Sequence, residues 1–444
     1  MLTRRDNSFW SLFKLDYSPN IYIKKILTNI DTACLKYSQY FSKKSMEGLQ
    51  IKQIRNLLIF SYNNVIFWKE KFENANFNPN VDFNKLEDIQ KITTISKTEL
   101  QMAFPKLCSV KNVSEKNSYL KSTSGSTGIP FKFHGDIGML NRRLAIRNRF
   151  LDWYCGKPRQ IIKIMKSNHP GLESEGILFS YTSPRELEQK KFDLYPLIAS
   201  MPVILESLSS FLIHLAKLIK NDRINHNIKA VIAAAEPLSP EESKFIKQSL
   251  GCPVFRSYGT KENMTIAQEC EFGNFHINSE WLYLEIVDER GYQLPHGHTG
   301  NIAITMFENK IMPFIRYLVG DQGKIIPGPC ACGRTLPILT FKGRLKEIII
   351  LPNGKQSHFL EIGPAIWQFT DKIKQYQVVQ ETEDKIVFNI VSESEDFFKK
   401  DIKDKIIHDA KNILGKDTDI SISILKEIPI GPDGKKRTFV SRLE

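Results

Sequence analysis

The chain has 444 residues, of which 41% are hydrophobic and 25% are charged, and its formal net charge is +13. This length exceeds what one hydrophobic core usually supports, so we expect two or more domains. The composition is typical of a globular protein, and no run approaches the roughly eighteen apolar residues of a membrane-spanning helix. The seven cysteines are an odd number in a long chain, which argues against a disulfide framework.

The excess of basic residues indicates either an anionic macromolecular partner or a surface that attracts small anionic substrates. Lys and Arg number 62 against 49 Asp and Glu, but they are spread along the chain without an arginine-rich block. We therefore predict no nucleic-acid partner and favour anionic small molecules such as nucleotides. The N-terminus, MLTRRDNSFWSLFKLDY, has neither an uninterrupted apolar segment nor a small-residue cleavage site. This pattern predicts no signal peptide and a cytoplasmic location.

The first three quarters of the chain change from helical to mixed patterning. Residues 1–100 have helically spaced apolar positions, and the basic, mildly amphipathic stretch 21–40 is more typical of a docked helix than of one lying on a membrane. From 120 to 340, short β-branched runs alternate with helical patterns, which is typical of βα units. These runs predict four strands, at 161–165, 230–235, 282–288 and 301–307. The apolar spacing over 204–220 predicts a helix that faces the core.

The last hundred residues predict a compact α+β unit. Two strand-like runs at 376–380 and 385–391 precede a helix, and a third run follows at 420–425. The helix places one set of apolar side chains on a single face: Ile402, Ile406, Ala410 and Ile413. We therefore predict an α/β protein with two domains, at 1–342 and 343–444, whose boundary lies near Gly343–Lys346.

The segment with the most chemical information is Lys121–Phe133, KSTSGSTGIPFKF. From Ser122 to Gly128 it carries five Ser/Thr hydroxyls and two glycines, between two strand-like stretches. Glycines let a backbone bend around an anion, and exposed N–H groups and hydroxyls donate to phosphate oxygens. It is not a Walker A loop, because no Lys-Ser/Thr pair follows the second glycine. On this segment alone a polar surface turn is as good an interpretation as a phosphate loop.

The segment resembles the phosphate loop of the adenylate-forming superfamily, which includes acyl-CoA synthetases, adenylation domains and luciferases. Further segments resemble the other motifs of that superfamily and follow in the expected order. They are Ala235-Glu236-Pro237 beside the adenine, Tyr258-Gly259-Thr260-Lys261-Glu262 as YGxTE, Arg316–Asp321 as RYxTGD, Gly343–Glu347 as the hinge and Gly434-Lys435 as the loop of the catalytic lysine. Each motif alone is weak, but together and in order they are specific.

Within the superfamily the chain is most similar to the phenylacetate–CoA ligase group and its relatives associated with capsular polysaccharide biosynthesis. The residues that carry this resemblance are the pair Glu269-Cys270, Asn274-Phe275-His276, Pro313–Tyr317, Cys330–Arg334 and the ending GKKRTFVSR after Pro429. The resemblance implies a large N-terminal mixed α/β domain and a small mobile α+β C-terminal domain. It also implies an AMP-forming acid ligase that uses ATP and Mg²⁺ to make an acyl-AMP from a carboxylic acid.

The resemblance assigns a role to each motif residue. The β,γ-phosphates would lie in the loop, Tyr258 would stack on the adenine, and Thr260 would donate to the α-phosphate. Glu262 would hold Mg²⁺, Lys435 would reach the carboxylate and the α-phosphate as the catalytic cation, and Lys346 would be the hinge about which the small domain rotates. The remaining nucleotide-binding residues implied are Ser122, Thr123, Ser124, Gly125, Ser126, Thr127, Gly128, Ala235, Glu236, Pro237, Gly259, Asp321 and Arg344.

Four residues predict a structural metal site. Cys270, His276, Cys330 and Cys332 supply three thiolates and one imidazole, a set that suits tetrahedral Zn²⁺. Their spacing, C-x₅-H…C-x-C, is less specific than paired C-x₂-C, and from the spacing alone buried thiols and a surface histidine are the simpler interpretation. The resemblance favours zinc, because a similar set is expected in the related ligases.

The chain differs from the family pattern at two places. Ile129 follows the second glycine of the loop, where many members carry a lysine, although Lys132 lies three residues further on. The stretch 348–361 lacks the run that shapes the path of CoA in phenylacetate ligases. The acceptor therefore stays open between CoA, which the overall resemblance favours, and an amine or hydroxyl of a sugar. A non-catalytic binding protein of the same fold is disfavoured by the joint presence of Glu262, Asp321 and Lys435. We also include a homodimer among the expected partners, although the sequence does not determine the oligomeric state.

Overall fold

The computed structural model describes most of the chain, with gaps. It covers 21–122, 131–155, 160–165, 177–181, 184–344, 348–370, 372–394, 398–428 and 438–443. The predicted phosphate loop from Thr123 to Gly128, the hinge residue Lys346 and the catalytic Lys435 lie outside these residues.

The N-terminal part is helical. It comprises α1 (Ile21–Ser38), α2 (Lys43–Asn64), α3 (Ile66–Asn74), a short 3-10 helix (Leu86–Lys91) and α4 (Lys97–Ala103). α4 begins with a reciprocal cap, in which Ser96 Oγ accepts from Glu99 N and Glu99 accepts from Ser96 N. The prediction of helices is confirmed for 21–74, whereas most of 75–96 forms turns and the 3-10 helix.

One large mixed sheet forms the centre of the molecule. Eleven strands of the described chain join it, in the order β10-β11-β12-β13-β9-β8-β7-β6-β5-β3-β4. The half from β4 to β7 is parallel and the half from β7 to β10 is antiparallel. The strands are β3 (Gln160–Met165), β4 (Ile177–Ser180), β5 (Val203–Ser207), β6 (Ile228–Ala234), β7 (Val254–Tyr258), β8 (Ala267–Glu269), β9 (Phe275–Ile277), β10 (Leu282–Val287), β11 (Gly300–Met306), β12 (Tyr317–Ile326) and β13 (Ile338–Arg344). All four strands predicted between 120 and 340 are confirmed.

One helix precedes the parallel strands, and others follow β4, β5 and β6, as the βα pattern predicts. They are α5 (Gly138–Cys155), α6 (Pro184–Gln189), α7 (Lys191–Ser200), α8 (Ser209–Asn221) and α9 (Pro240–Leu250). The helix predicted over 204–220 was wrong in its first turn, because 203–207 form β5 and the helix begins at Ser209. The strand begins with three consecutive apolar residues, Val203, Ile204 and Leu205. A continuous apolar run has neither the alternation of a half-buried strand nor the spacing of an amphipathic helix, so it could not distinguish a buried strand from a buried helix. The strands β1 (Ser118–Ser122) and β2 (Lys132–Asp136) pair in a separate hairpin that flanks the predicted phosphate loop.

Helix α1 docks on the large domain. It packs against α5, and Asp31 Oδ1 accepts from the buried Arg142 guanidinium at 3.0 Å. The docked-helix interpretation of 21–40 is thus confirmed for the described residues. Within the portions of the chain that the structure covers, none of the helices has both the length and the apolar character needed to cross a bilayer.

The C-terminal residues form a separate unit. The strands β16 (Ile373–Gln380), β17 (Lys385–Ser392), β18 (Asp419–Ile424) and β19 (Phe439–Ser441) make a sheet in the order β18-β17-β16-β19. The hairpin of β14 (Ile348–Ile350) and β15 (Gln356–His358) and the helices α10 (Phe359–Trp367) and α11 (Lys400–Leu414) accompany it. Ile406, Ala410 and Leu414 of α11 bury one face in a core made only of residues from this part of the chain. The α+β character predicted for this region is confirmed.

Candidate active site

Two of the predicted motifs lie at the carboxyl ends of neighbouring strands in the large sheet. Ala235-Glu236-Pro237 follows β6, and the segment from Tyr258 to Glu262 follows β7. These strands are parallel neighbours, so their carboxyl ends lie side by side. Next to β7 the sheet changes from parallel to antiparallel pairing. In open α/β sheets, ligands commonly bind outside the carboxyl ends of the parallel strands.

The turn after β6 is held in an unusual backbone conformation. Ala235 has φ of 63°, in the left-handed region that residues with a side chain rarely adopt. Glu236 anchors the turn, because its carboxylate accepts from Ser210 N at 2.9 Å and its carbonyl oxygen accepts from Ser209 Oγ at 3.1 Å. The negative side chain thus lies at the N-terminus of α8, where it complements the helix dipole. Strained residues held by their surroundings are common at functional sites.

The turn after β7 requires glycine. A Cβ on Gly259 would lie 2.0 Å from the carbonyl oxygen of Met264. The same turn is closed by Met264 N donating to Thr260 O at 2.6 Å and by Asn263 Oδ1 accepting from Thr260 N at 3.3 Å. Thr260 Oγ1 is buried and has no hydrogen-bond partner among the described residues. A buried hydroxyl without a protein partner fits a group that binds a ligand atom such as a phosphate oxygen.

Tyr258 and Asp321 are in direct contact. The Tyr258 hydroxyl donates to Asp321 Oδ2 at 2.6 Å, and its ring stacks on Phe341 with centroids 4.6 Å apart. Asp321 lies on β12, and its backbone is paired with that of Arg344 on β13 in the antiparallel register. The structure therefore brings two predicted nucleotide-binding residues, Tyr258 and Asp321, into contact, although they are 63 positions apart in sequence and their strands are separated by β13, β9 and β8 in the sheet.

Glu262 is buried beside the same strand. It is 7% exposed, and its Oε1 accepts from the Tyr317 hydroxyl at 3.2 Å. Burial, together with the negative charges of Glu262 and Asp321, raises the pKa of Tyr317, so that this residue remains a neutral hydrogen-bond donor. A buried carboxylate with one oxygen held in this way can offer its other oxygen to a divalent cation.

Lys261 joins this turn to the hairpin that flanks the predicted loop. Its Nζ donates to the carbonyl oxygen of Ser122, the last described residue before the loop, at 3.2 Å. Sequence reasoning assigned no role to Lys261, Asn263, Tyr317 or Phe341. Lys261 and Tyr317 lie inside the quoted motifs, which could have drawn attention to them. Phe341 and Asn263 are found only through their contacts.

The four predicted metal ligands converge on one point. The ligand atoms of Cys270, His276, Cys330 and Cys332 all lie within 4.8 Å of one another. Cys270 Sγ and Cys330 Sγ are 3.7 Å apart, close to the spacing of about 3.7 Å for two thiolates on one tetrahedral zinc, and Cys332 Sγ lies 3.2 Å from His276 Nε2.

The surroundings of the cluster also suit a metal. His276 Nδ1 contacts the carbonyl oxygen of Leu336 at 2.8 Å, which directs Nε2 toward the thiols. Burial lowers the pKa of His276, so its imidazole is neutral, as a metal ligand must be. The donor set and its geometry therefore fit Zn²⁺.

Comparison with known proteins agrees with the motifs. Residues 349–442 match the family model described as the CapK C-terminal domain. The chain is 24% identical to the phenylacetate-coenzyme A ligase of Thermus thermophilus over 359 residues, which cover 76% of this chain and 78% of that protein. It is 25% identical to the enzyme of the same name from Pseudomonas putida, over 72% of this chain and 75% of that protein. The resemblance to the phenylacetate–CoA ligase group is confirmed.

The fold is that of adenylate-forming CoA ligases. A crystal structure of 2-hydroxyisobutyryl-CoA ligase in the postadenylation state, in complex with 2-HIB-AMP, matches with a TM-score of 0.78 over 91% of both chains, at 18% identity. The same ligase in the thioesterification state, with 2-HIB-AMP and CoA, matches with a TM-score of 0.63, over 91% of this chain and 92% of that one. The predicted fold class is thereby confirmed.

Proposed function

We propose that this chain, which has the fold of the adenylate-forming CoA ligases, uses ATP to join a carboxylic acid to CoA through an acyl-AMP. In the first step a carboxylate oxygen attacks the α-phosphorus of ATP, and the bond to the β-phosphate oxygen breaks, so that pyrophosphate leaves. In the second step the sulfur of CoA attacks the acyl carbonyl carbon and AMP leaves as the carbon–oxygen bond breaks. The thiol gives up its proton to solvent or a base.

The observation that carries this proposal is the contact of Tyr258 with Asp321, beside Thr260 and Glu262. Asp321 holds an oriented carboxylate that can accept from ribose hydroxyls, and the hydroxyl of Thr260 is buried without a partner in the described part of the chain. A binding surface for adenosine and one for the α-phosphate therefore adjoin, as attack at that phosphorus requires. The relatives named phenylacetate-coenzyme A ligase support the same reaction.

In this proposal, Mg²⁺ and Lys435 neutralise the negative charges of ATP and of the carboxylate. Mg²⁺ would be held by Glu262 and by phosphate oxygens, and it would lower the repulsion between the two anionic reactants. Lys435, in a C-terminal domain proposed to span 343–444, would supply a positive charge to the carboxylate and the α-phosphate. We expect Lys435→Ala to lower adenylation at least a hundredfold while the melting temperature stays unchanged. Normal activity of this variant would contradict the assigned role.

We also propose that the cluster of Cys270, His276, Cys330 and Cys332 holds a structural Zn²⁺. A site with four protein ligands leaves no open position, so the metal would stabilise the fold rather than take part in the reaction. Inductively coupled plasma mass spectrometry of the purified protein should detect about one zinc per chain. The Cys330→Ser variant should lose it, whereas Cys108→Ser, which removes a buried thiol outside the cluster, should keep it. Equal metal content in all three proteins would exclude the site.

A second candidate function differs only in the acceptor. The match of 349–442 to the CapK C-terminal domain, together with the divergent stretch 348–361, favours an acceptor other than CoA. In that case the acyl-AMP would pass its acyl group to an amine or hydroxyl of a sugar in the synthesis of a surface polysaccharide. The adenylation step and its residues would be the same.

A pyrophosphate-release assay separates these alternatives. Protein and Mg-ATP are incubated with a panel of carboxylic acids that includes phenylacetate, each with and without CoA. Release that rises with one acid and rises further with CoA supports the ligase. Release with an acid that does not respond to CoA supports the sugar or amine acceptor. If isothermal calorimetry detects no binding of Mg-ATP, the proposed function is wrong.

A further inference from the structure

The C-terminal unit is held to the large domain by a buried lysine. Lys217 of α8 is 9% exposed, and its Nζ donates to the carbonyl oxygen of Ile373 at 2.7 Å. The same Nζ lies 2.9 Å from Glu393 Oε1. Ile373 begins β16 and Glu393 directly follows β17, so this one side chain bonds across the two parts of the molecule.

The geometry of the C-terminal sheet creates this acceptor site. Ile373 is the first residue of β16 and pairs with Ser392, the last residue of β17, so Glu393 follows directly at the same end of the hairpin. An irregularity in the ladder between Ile373 and Gln375 interrupts the regular pairing beside the Ile373 carbonyl. A backbone oxygen and a carboxylate therefore point to one place, and Lys217 reaches both.

Two other basic groups lie near this contact, but neither replaces Lys217. Lys374 lies 3.8 Å from Glu393 Oε2 and is half exposed, and His214, one turn before Lys217 on α8, lies 3.5 Å from Glu188. Burial lowers the pKa of His214, so that it is mostly neutral near pH 7. Among Lys374, His214 and Lys217, only Lys217 is a buried cation with a hydrogen bond to the other domain in the described chain. A hydrogen bond between charged groups is stronger than one between neutral groups.

The domain arrangement in which this contact forms resembles one state of a related ligase more than another. The 2-hydroxyisobutyryl-CoA ligase structure in the postadenylation state superposes better than the structure of the same protein in the thioesterification state. Because both are structures of the same ligase and are covered to nearly the same extent, we attribute the higher TM-score to the arrangement of the domains. The contact of Lys217 thus belongs to an arrangement like that of the postadenylation state.

We propose that Lys217 and Glu393 form an interdomain latch that stabilises the arrangement resembling the postadenylation state and must open before the acyl group is transferred. This inference rests on the proposed two-step function. Lys217 is a positioning residue in this scheme, because it acts on the placement of the C-terminal domain and touches no substrate. Removing the latch should shift the domain equilibrium by roughly tenfold, as expected for the loss of one charge-assisted hydrogen bond.

The first test measures domain arrangement without any reaction. Small-angle X-ray scattering of the wild type should fit the structure, whereas Lys217→Met and Glu393→Gln should give profiles with a larger share of other arrangements. The exchange variant, Lys217→Glu with Glu393→Lys, should restore much of the wild-type profile. Lys220→Met is the matched control, because Lys220 is an exposed lysine one turn further along α8. If Lys217→Met fails to fold, the exposed partner still tests the latch through Glu393→Gln.

The second test measures the two half-reactions separately. Pyrophosphate exchange with phenylacetate, or with a panel acid that gives higher release, reports adenylation, and mixing preformed acyl-AMP with CoA reports transfer. Lys217→Met should slow exchange about tenfold and leave transfer unchanged or faster. An equal loss in both half-reactions, with a wild-type scattering profile, would overturn the latch. If the wild type exchanges no pyrophosphate with any acid, the proposed function fails, but scattering still decides whether the latch exists.

Discussion

Tyr258 shows at the scale of one residue how this site is built. Its ring packs on Phe341 while its hydroxyl holds the carboxylate of Asp321, so one side chain both supports a flat surface and orients a charged acceptor. Gly259, the next residue, allows the chain to pass against the backbone of Met264. The motif is therefore constrained by packing and by chemistry at neighbouring positions.

Removing the hydroxyl of Tyr258 should weaken nucleotide binding without unfolding the protein. In Tyr258→Phe the ring keeps its stacking, but Asp321 loses a bond that is worth about 1.5–3 kcal/mol for a charged acceptor. We expect the KM for ATP to rise roughly tenfold, because the Asp321 carboxylate is less well oriented, and the melting temperature to fall by only about 2–5 °C. Tyr292→Phe, at an exposed tyrosine, serves as the control. An unchanged KM for ATP would show that the hydrogen bond from Tyr258 to Asp321 does not contribute to nucleotide binding.

Adding one methyl group at Gly259 should damage the turn after β7. The new Cβ would meet a backbone oxygen at 2.0 Å, and a backbone atom cannot move aside as a flexible side chain can. We expect Gly259→Ala to lower the stability by about 1–3 kcal/mol and to reduce adenylation more than tenfold. Gly48→Ala in α2, where nothing lies within 4 Å, should be neutral or stabilising. Thermal melting and pyrophosphate release measure both effects, and similar behaviour of the two variants would contradict the prediction.

At the scale of elements, charged side chains join the strands to the helix that covers them. Glu206 of β5 accepts from Arg147 of α5 at 2.6 Å and lies 3.5 Å from Lys163 of β3. Burial opposes the charge of Glu206, but Arg147 and Lys163 outweigh it and lower the pKa of Glu206 to about 2. The carboxylate therefore contributes stability as long as it is ionised.

Acid should remove the contribution of Glu206 in a defined pH range. Because its pKa is lowered in the folded state, the stabilisation is complete above the unfolded pKa of about 4.3 and is lost as the pH falls toward 2. Glu206→Gln should cost roughly 3 kcal/mol at pH 7, and the difference from the wild type should shrink between pH 4.5 and about 2. Urea denaturation at several pH values checks this, with Glu289→Gln at an exposed position as the control. A difference that stays constant with pH would count against the assignment.

The cysteine cluster connects the pair of strands β8 and β9 to the segment between β12 and β13. Cys270 follows β8, His276 lies on β9, and Cys330 and Cys332 lie in the connection between β12 and β13. If zinc bridges them, a strong chelator should lower the melting temperature by several degrees, because a bound metal stabilises only the folded state. Cys330→Ser should already melt at the lower temperature and should not respond to the chelator. If the chelator also leaves the melting temperature of the wild type unchanged, no stabilising metal is present.

At the scale of the whole molecule, the described residues fall into two regions with different cores. Apolar side chains from 349 to 439 pack with one another, while the clusters of the large sheet use residues that precede them. The two regions meet where α9 contacts α10 and where Lys217 reaches Ile373 and Glu393. Their folding should therefore be only partly coupled.

Differential scanning calorimetry should reveal this partial coupling. We expect two unfolding transitions, because a limited interface between regions with separate cores does not enforce one cooperative transition. The smaller transition should belong to the C-terminal region, and the transitions should separate further in Lys217→Met than in Lys220→Met. One transition with equal calorimetric and van't Hoff enthalpies would show instead that the two regions unfold as one unit.

Much of the fold could be predicted from the sequence because the patterns there are local. Strands β3, β6, β10 and β11 and the amphipathic face of α11 follow from apolar spacing over a few residues. The start of β5 could not be predicted, since a continuous apolar run suits a buried strand and a buried helix alike. The order of the antiparallel strands, in which β13 lies between β12 and β9, depends on pairing over long distances that no local pattern records.

The candidate site divides in the same way. The sequence by itself determined the residue types, their order, the resemblance to adenylate-forming ligases and the four ligands of the predicted zinc, because glycine, carboxylate and thiol chemistry is specified by side chains and spacing. Only the tertiary structure decided that Tyr258 holds Asp321, that Tyr317 holds Glu262 and that Lys217 bonds across the two regions. Those contacts join residues 55 to 176 positions apart, and such pairs are set by how strands and helices pack, which depends on the whole chain.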